Sequence, residues 1–297
     1  MLTLRMSRSI SIVGAGRLGR ALGRRLHRLG WSIGPIVTRS QATARAAVRF
    51  IGAGQPHVSL SREILGADVI LFTVPDGALA SMARALAQIE PAMWRNKIAL
   101  HTSGALDRKV LEPLARRGAS TGSLHPMQTF SGHSDPKLAG VIFGVEGAPK
   151  AIRTASSIAR SLGGIPVAVH SKKKISYHAA AVLVAGLGLA LSEGATQVLL
   201  SIGFTRPKAI QALLPLMREM LRNFEHDGPH AAWTGPISRA DYGTVAMHTK
   251  ALHTQPKELR DAYAALARLS ARVLARNYSK TLKNLNVVLA KPRRKLK

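Results

Sequence analysis

Short apolar runs alternate with longer amphipathic stretches from Ser9 to about Gly147. Ile10–Val13, Ile33–Val37, Val69–Val74, Ile98–His101, Ser120–Leu124 and Val141–Glu146 predict strands, and Ile165–His170 predicts a further edge strand. Leu18–Leu29, Gln41–Phe50 and Leu79–Ile89 predict helices between them. This alternation implies right-handed crossovers and a mostly parallel sheet. After Lys172 the period changes. Ile175–Leu200, Pro207–Phe224, Asp241–His253 and Pro256–Tyr278 predict helices, with breaks at Gly203, Gly228–Pro229 and Gly235–Pro236. The first of these helices is apolar nearly all round, which predicts burial between other elements. The expected class is α/β, with a sheet domain over residues 1–148, an all-helical C-terminal domain over 149–280 and a basic tail over 281–297.

Composition narrows the chemistry. With 46% hydrophobic residues over 297 positions the chain can bury a sizeable core. It contains no cysteine, which excludes disulfides, thiolate metal sites and cysteine nucleophiles. Eleven histidines are present, but none has a recognised metal-ligand spacing, so no metal is expected. Forty-three Lys and Arg against fifteen Asp and Glu give a formal charge of +28, which attracts phosphate-bearing ligands. No DNA- or RNA-binding motif accompanies that charge, so no specific nucleic acid is expected. Lys291–Lys297 is almost wholly basic and reads as a solvated terminus. The longest apolar run, Ala179–Leu191, is thirteen residues with two glycines, too short to span a bilayer. Met1–Ser9 lacks the apolar segment of a signal peptide, so a cytoplasmic protein without a membrane partner is expected.

Gly14–Ala15–Gly16–Arg17–Leu18–Gly19 follows a predicted strand and opens a predicted helix. In that setting a Gly-x-Gly-x-x-Gly loop marks a Rossmann-type dinucleotide domain. Gly14 permits the tight turn, Gly16 lets backbone approach a diphosphate, and Gly19 lets helix and strand pack closely. The helix N-terminus then offers unpaired N–H groups to the anion. An NAD site places an acidic side chain after the second strand to hold the ribose hydroxyls. Here Thr38–Arg39–Ser40 stands there, and no acidic residue precedes Glu63. A guanidinium flanked by hydroxyls suits a 2′-phosphate, so NADP is the expected cofactor.

Ligands of parallel sheets bind at the C-terminal strand ends. Three such ends are polar: Val74–Pro75–Asp76, His101–Thr102–Ser103–Gly104, and Ser123–Leu124–His125–Pro126–Met127–Gln128–Thr129–Phe130. Val74 and Pro75 are expected under the cofactor. Ser103, His125 and Gln128 are expected as ribose or substrate contacts, His125 in an exposed loop. Lys174, Tyr177 and His178 open the first C-terminal helix, and any of them can donate a proton during hydride transfer. Arg239 and Asp241 precede the helix that carries Thr244 and His248. They serve either as substrate contacts or as a helix-capping pair.

These residues carry a resemblance. The chain resembles Rossmann-like proteins whose second domain is domain of unknown function 2520. The matching stretches are Gly14–Gly19, His101–Leu106, Ser123–Phe130, Tyr177–Ala181, and Thr234–Gly235–Pro236 with Arg239 and Asp241, over roughly residues 9–275. The resemblance implies a fold similar to 6-phosphogluconate dehydrogenase, pyrroline-carboxylate reductase and ketopantoate reductase, with a helical domain that builds a homodimer. In those enzymes the substrate lies between the domains, and a lysine early in the first long helix assists catalysis. Lys174 is the position that matches. Two departures stand out: Gly186 where relatives carry asparagine, and Ala240 where they carry glycine. The expectation is an NADP-dependent oxidoreductase acting on a small anionic carbonyl or imine metabolite. The alternative is a non-catalytic NADP-binding sensor or regulatory protein.

Overall fold

A computed structural model describes residues 9–132 and 136–290. The first compact unit runs to Ala185 and the second begins at Gly186. The basic segment 291–297 lies outside the described residues.

The first unit is built on eight strands. In chain order they are β1 (Ser9–Val13), β2 (Ser32–Val37), β3 (Gln55–His57), β4 (Val69–Phe72), β5 (Ile98–His101), β6 (Ser120–Pro126), β7 (Ile142–Gly147) and β8 (Ile165–Ala168). Their order in the sheet is β3-β2-β1-β4-β5-β6-β7-β8. All neighbours are parallel except β6 and β7, where Ser123 faces Glu146 and His125 faces Gly144. The strand order reverses between β1 and β4, which is the switch point where such sheets open a crevice.

Alternate strand residues feed two cores. Ile10, Ile12, Val69 and Leu71 pack beneath α1 (Arg17–Arg28), α2 (Gln41–Ile51) and α5 (Pro149–Ser161). Val13, Ile70, Phe72 and Ala99 pack on the opposite face with Leu79, Ala83 and Leu86 of α3 (Asp76–Leu86) and Leu114 of α4 (Glu112–Ala115). The result is three layers that bury the central strands on both faces, as continuous Val/Ile/Leu strands require, while edge strand β8 stays mostly exposed.

Three elements escape the apolar pattern. β3 is three residues with Pro56 in its middle, which is tolerated because β3 is an edge strand. α5 buries mainly alanines, Ala151, Ala155 and Ala159, around Ile158. α11 (Tyr278–Leu289) occupies most of the expected tail, capped by Asn277, with Leu285 and Leu289 buried.

The continuous helix Ser171–Ser201 contains α6 (Lys174–Val182), a single π segment over Leu183–Leu187 and α7 (Gly188–Ser201). The expected burial of this helix does not hold within the chain. Ile175, Val184 and Leu189 are 72%, 79% and 72% exposed. The thirteen-residue limit drawn from the apolar run also fails, because the helix continues unbroken for 31 residues. By length and composition it is the one helix among the described residues able to cross a membrane. In the second unit α8 (Arg206–Ala232) breaks at Gly228, with φ of 77°, and α9 (Tyr242–Ala251) packs with α10 (Lys257–Leu274) and α11 around Val245, Ala267 and Ala271. Ala240 adopts φ of 59°, the left-handed conformation that glycine takes without cost.

Candidate functional site

The Gly14–Gly19 loop joins β1 to α1, and each glycine meets a different constraint. Gly14 has φ of 91°, and a Cβ there would sit 2.5 Å from Val74 Cγ1. A Cβ on Gly19 would collide with Thr73 Oγ1 and the Gly14 carbonyl, so bare backbone is needed where α1 meets β4. Thr73 Oγ1 donates to that same carbonyl. A Cβ on Gly16, by contrast, meets nothing within 4 Å. Gly16 is the N-cap of α1 and supplies no side-chain acceptor, and the first turn holds no acidic residue. The leading N–H groups of α1 are thus left for an anion.

This loop is one wall of a cavity of about 820 Å³ at the switch point. Arg17 and Leu18, Thr38 and Arg39, Val74 and Pro75, and Thr102 and Ser103 come to it from the ends of four strands. The hydroxyls around Arg39 are committed locally: Thr38 Oγ1 donates to the Ser40 carbonyl (2.9 Å), and Ser40 Oγ caps α2 through Thr43 N (3.3 Å). Arg39 is exposed and makes no hydrogen bond among the described residues.

A second cluster stands beside the cavity, where the loop after β5 meets β6, β7 and α6. Lys174 is 2% exposed, and its Nζ donates to Ser103 O (3.1 Å) and Ser123 Oγ (2.6 Å). Burial pushes its ammonium down to about 8, against the pull of Glu146, Asp107 and Asp76. Three residues along the helix, Tyr177 packs over Gly144, and its hydroxyl lies 3.0 Å from His125 Nδ1. Burial lowers His125 to about 4, with His178 and Lys174 adding to the effect, so it is neutral at pH 7. Burial also raises Tyr177, which keeps its proton. His178 stands edge-on to His125 at 5.5 Å, and its buried Nδ1 has no partner. Gly104 makes this contact possible, because a Cβ there would lie 2.7 Å from His125 Nε2 and 2.5 Å from His178 Nδ1. His101 is structural: it accepts from Ser103 N (3.2 Å), lies 3.2 Å from the Asp107 carbonyl, and is held down to about 3 by burial.

The structure therefore gathers Lys174, His125, Tyr177 and His178 into one cluster and corrects other expectations. His125 lies within β6, paired with Gly144, rather than in an exposed loop. The Ser103 hydroxyl is fully used, donating to Asp76 Oδ2 (2.7 Å) and accepting from Ala105 N (3.2 Å) and Leu106 N (2.9 Å). It cannot also donate to a ligand. Gln128 is exposed and clasps its own loop through Thr129 N (2.8 Å) and the Lys137 carbonyl (3.3 Å), so it does not join the cluster. Asp241 caps α9 through Thr244 N (3.0 Å) and Thr244 Oγ1 (2.6 Å), which is the helix-capping alternative for that residue, and Arg239 lies exposed beside it in sequence.

Glu146 was not anticipated. It is 5% exposed, and its two oxygens accept from Arg108 N (2.9 Å) and Ser171 Oγ (2.9 Å). That carboxylate fastens the turn after β5 to the start of the Lys174 helix and supplies counter-charge to the ammonium. An acid inside the apolar run Val141–Glu146 was the available signal, since unpaired carboxylates are rarely buried.

Residues 3–126 match the Rossmann-like domain model, and residues 141–270 match the model of a domain of unknown function, DUF2520. The chain joins a Rossmann-like domain to a DUF2520 domain. No curated protein matches it. Among solved structures it is similar to a provisional NADP oxidoreductase from Bacteroides fragilis, at 23% identity and a TM-score of 0.73 over 89% of this chain and 97% of that one. It is also similar to the reductive aminase from Aspergillus terreus in complex with NADPH and ethyl-5-oxohexanoate (18%, 0.65, 90% and 94%). The imine reductase of Streptomyces aurantiacus is a third (13%, 0.61, 93% and 98%). At these identities the likeness establishes the fold.

Proposed function

We propose that this Rossmann-like DUF2520 protein is an NADP-dependent oxidoreductase acting on a small carbonyl or imine metabolite. The observation that carries the reading is the cavity at the switch point, where open space over Gly16 meets an unpartnered Arg39. Its volume falls within the range of about 300–1,000 Å³ usual for ligand sites. In this reading the backbone of Gly14–Gly19 holds the diphosphate, with Arg17 at its edge. Arg39 pairs with the 2′-phosphate, and Val74 and Pro75 line the cavity under the cofactor. When bound, NADPH supplies a hydride from its nicotinamide ring. Tyr177 and His125 orient the acceptor oxygen or nitrogen, and Lys174, poised near neutral pH, holds a proton for it. The excess of cations over the chain favours an anionic substrate. Solved structures of similar fold whose names carry NADPH and imine or amine chemistry support the same class.

Arg39→Asp should weaken NADPH at least tenfold while changing NADH little, because only NADPH carries the phosphate that a carboxylate repels. Fluorescence titration with both cofactors checks this, and equal losses would contradict the assignment. Tight NADPH binding without turnover over a broad carbonyl and imine panel would instead favour the sensor reading, which Gly186 in the asparagine position supports.

The exposed apolar surface of the Ser171–Ser201 helix further supports a homodimer through the helical domain. A second copy suits it better than a bilayer. Lys174 and Tyr177, at its start, are locked into the sheet unit by hydrogen bonds and cannot enter lipid without breaking them. Light scattering should give twice the chain mass in detergent-free buffer.

A further inference from the structure

We infer that Asp76 is a positioning residue that couples the cavity to the buried ammonium of Lys174, so that a nicotinamide dinucleotide filling the cavity draws a proton onto that lysine. The inference rests on the cofactor reading above and goes beyond it. Ser103 is the link. Its hydroxyl donates to Asp76 Oδ2 at 2.7 Å, and its carbonyl accepts from Lys174 Nζ at 3.1 Å. Asp76 and Ser103 both line the cavity, whereas Lys174 is buried behind them.

Several charged and titratable groups face Lys174. They are Asp76 from α3, His101 from β5, Asp107 from the turn that follows it, His125 from β6 and Glu146 from β7, with Tyr177 and His178 on its own helix. Glu146 is already buried, so occupation of the cavity does not change its surroundings. Asp76 is exposed on the cavity wall, where water screens its charge. A ligand packed there removes that water and strengthens the attraction between the carboxylate and the ammonium. The same contact holds the 102–106 loop in place, since Ser103 Oγ also receives Ala105 N and Leu106 N. Because coupling between binding and protonation is reciprocal, whatever favours protonated Lys174 on binding also tightens binding when the lysine is protonated.

The test is calorimetry of NADPH binding near pH 8 in two buffers of different ionisation enthalpy, where the 2′-phosphate is fully ionised. The parent chain should take up a fraction of a proton on binding, and its affinity should fall about three- to tenfold between pH 7 and pH 10. Asp76→Asn should bind NADPH with little uptake and a flat pH dependence, Asp76→Glu should restore part of both, and Lys174→Met should show neither. Proton uptake by Asp76→Asn equal to that of the parent would overturn the coupling and leave the cofactor reading intact. A merely structural Asp76 would lower the melting temperature without moving the proton count. Should Asp76→Asn fail to fold, Asp76→Ser, which removes the charge but keeps a polar partner for Ser103, must reduce the uptake. An undiminished value would overturn the proposal. Absence of any heat with NADPH would remove the cofactor reading, and this inference with it.

Discussion

Gly16→Ala should fold as stably as the parent chain, within about 0.5 kcal/mol, yet bind NADPH ten- to a hundredfold more weakly. The backbone at Gly16, with φ of −70° and ψ of −161°, suits any residue, and the added methyl enters open space. That space is where a diphosphate approaches the start of α1. The neighbouring glycines should behave in the opposite way. Gly14→Ala drives a methyl against Val74 in a left-handed conformation, and a cost of about 2 to 4 kcal/mol is expected before any ligand is added. Thermal melting with and without NADPH separates the two effects. Equal destabilisation by both substitutions would mean that Gly16 serves the fold alone.

Lys174→Met should change how stability depends on pH. The native ammonium loses its proton near pH 8, whereas in the unfolded chain it does so near 10.5. Between these values the unfolded chain holds more protons, so raising the pH favours the native state. The parent chain should therefore gain about 2 kcal/mol relative to the variant from pH 8 to pH 10. Denaturant unfolding of both chains at several pH values checks the sign and the size. A parallel pH dependence would show that Lys174 is solvated like a surface lysine. On the proposed function the same substitution lowers turnover by about 10²- to 10⁴-fold.

The parts of this molecule that were readable from sequence obey one-dimensional rules. Ile10–Val13 followed by three spaced glycines can hardly be anything but a strand running into a helix, and the sheet order places that loop at the switch point. Helix breaks at Gly203 and Gly228–Pro229 were equally plain, because a left-handed φ is needed there. Contacts between distant segments were not readable. That Ser103 spends its hydroxyl on Asp76 depends on the register of the β4–β5 pair, and that Glu146 reaches Ser171 depends on the register of the β7–β8 pair. No local pattern encodes those registers. The apolar helix from Ser171 misled for another reason: its composition reports an apolar surface, not whether this chain's own elements bury it.

The central claim is that the Gly14–Gly19 loop and Arg39 hold a phosphorylated nicotinamide dinucleotide. Titration calorimetry of the parent chain with NADPH and with NADH tests it most directly. The account predicts a saturable heat with NADPH and at least tenfold weaker binding of NADH, about 1.4 kcal/mol. No heat with either cofactor at millimolar concentration, from a chain that melts cooperatively, would contradict it.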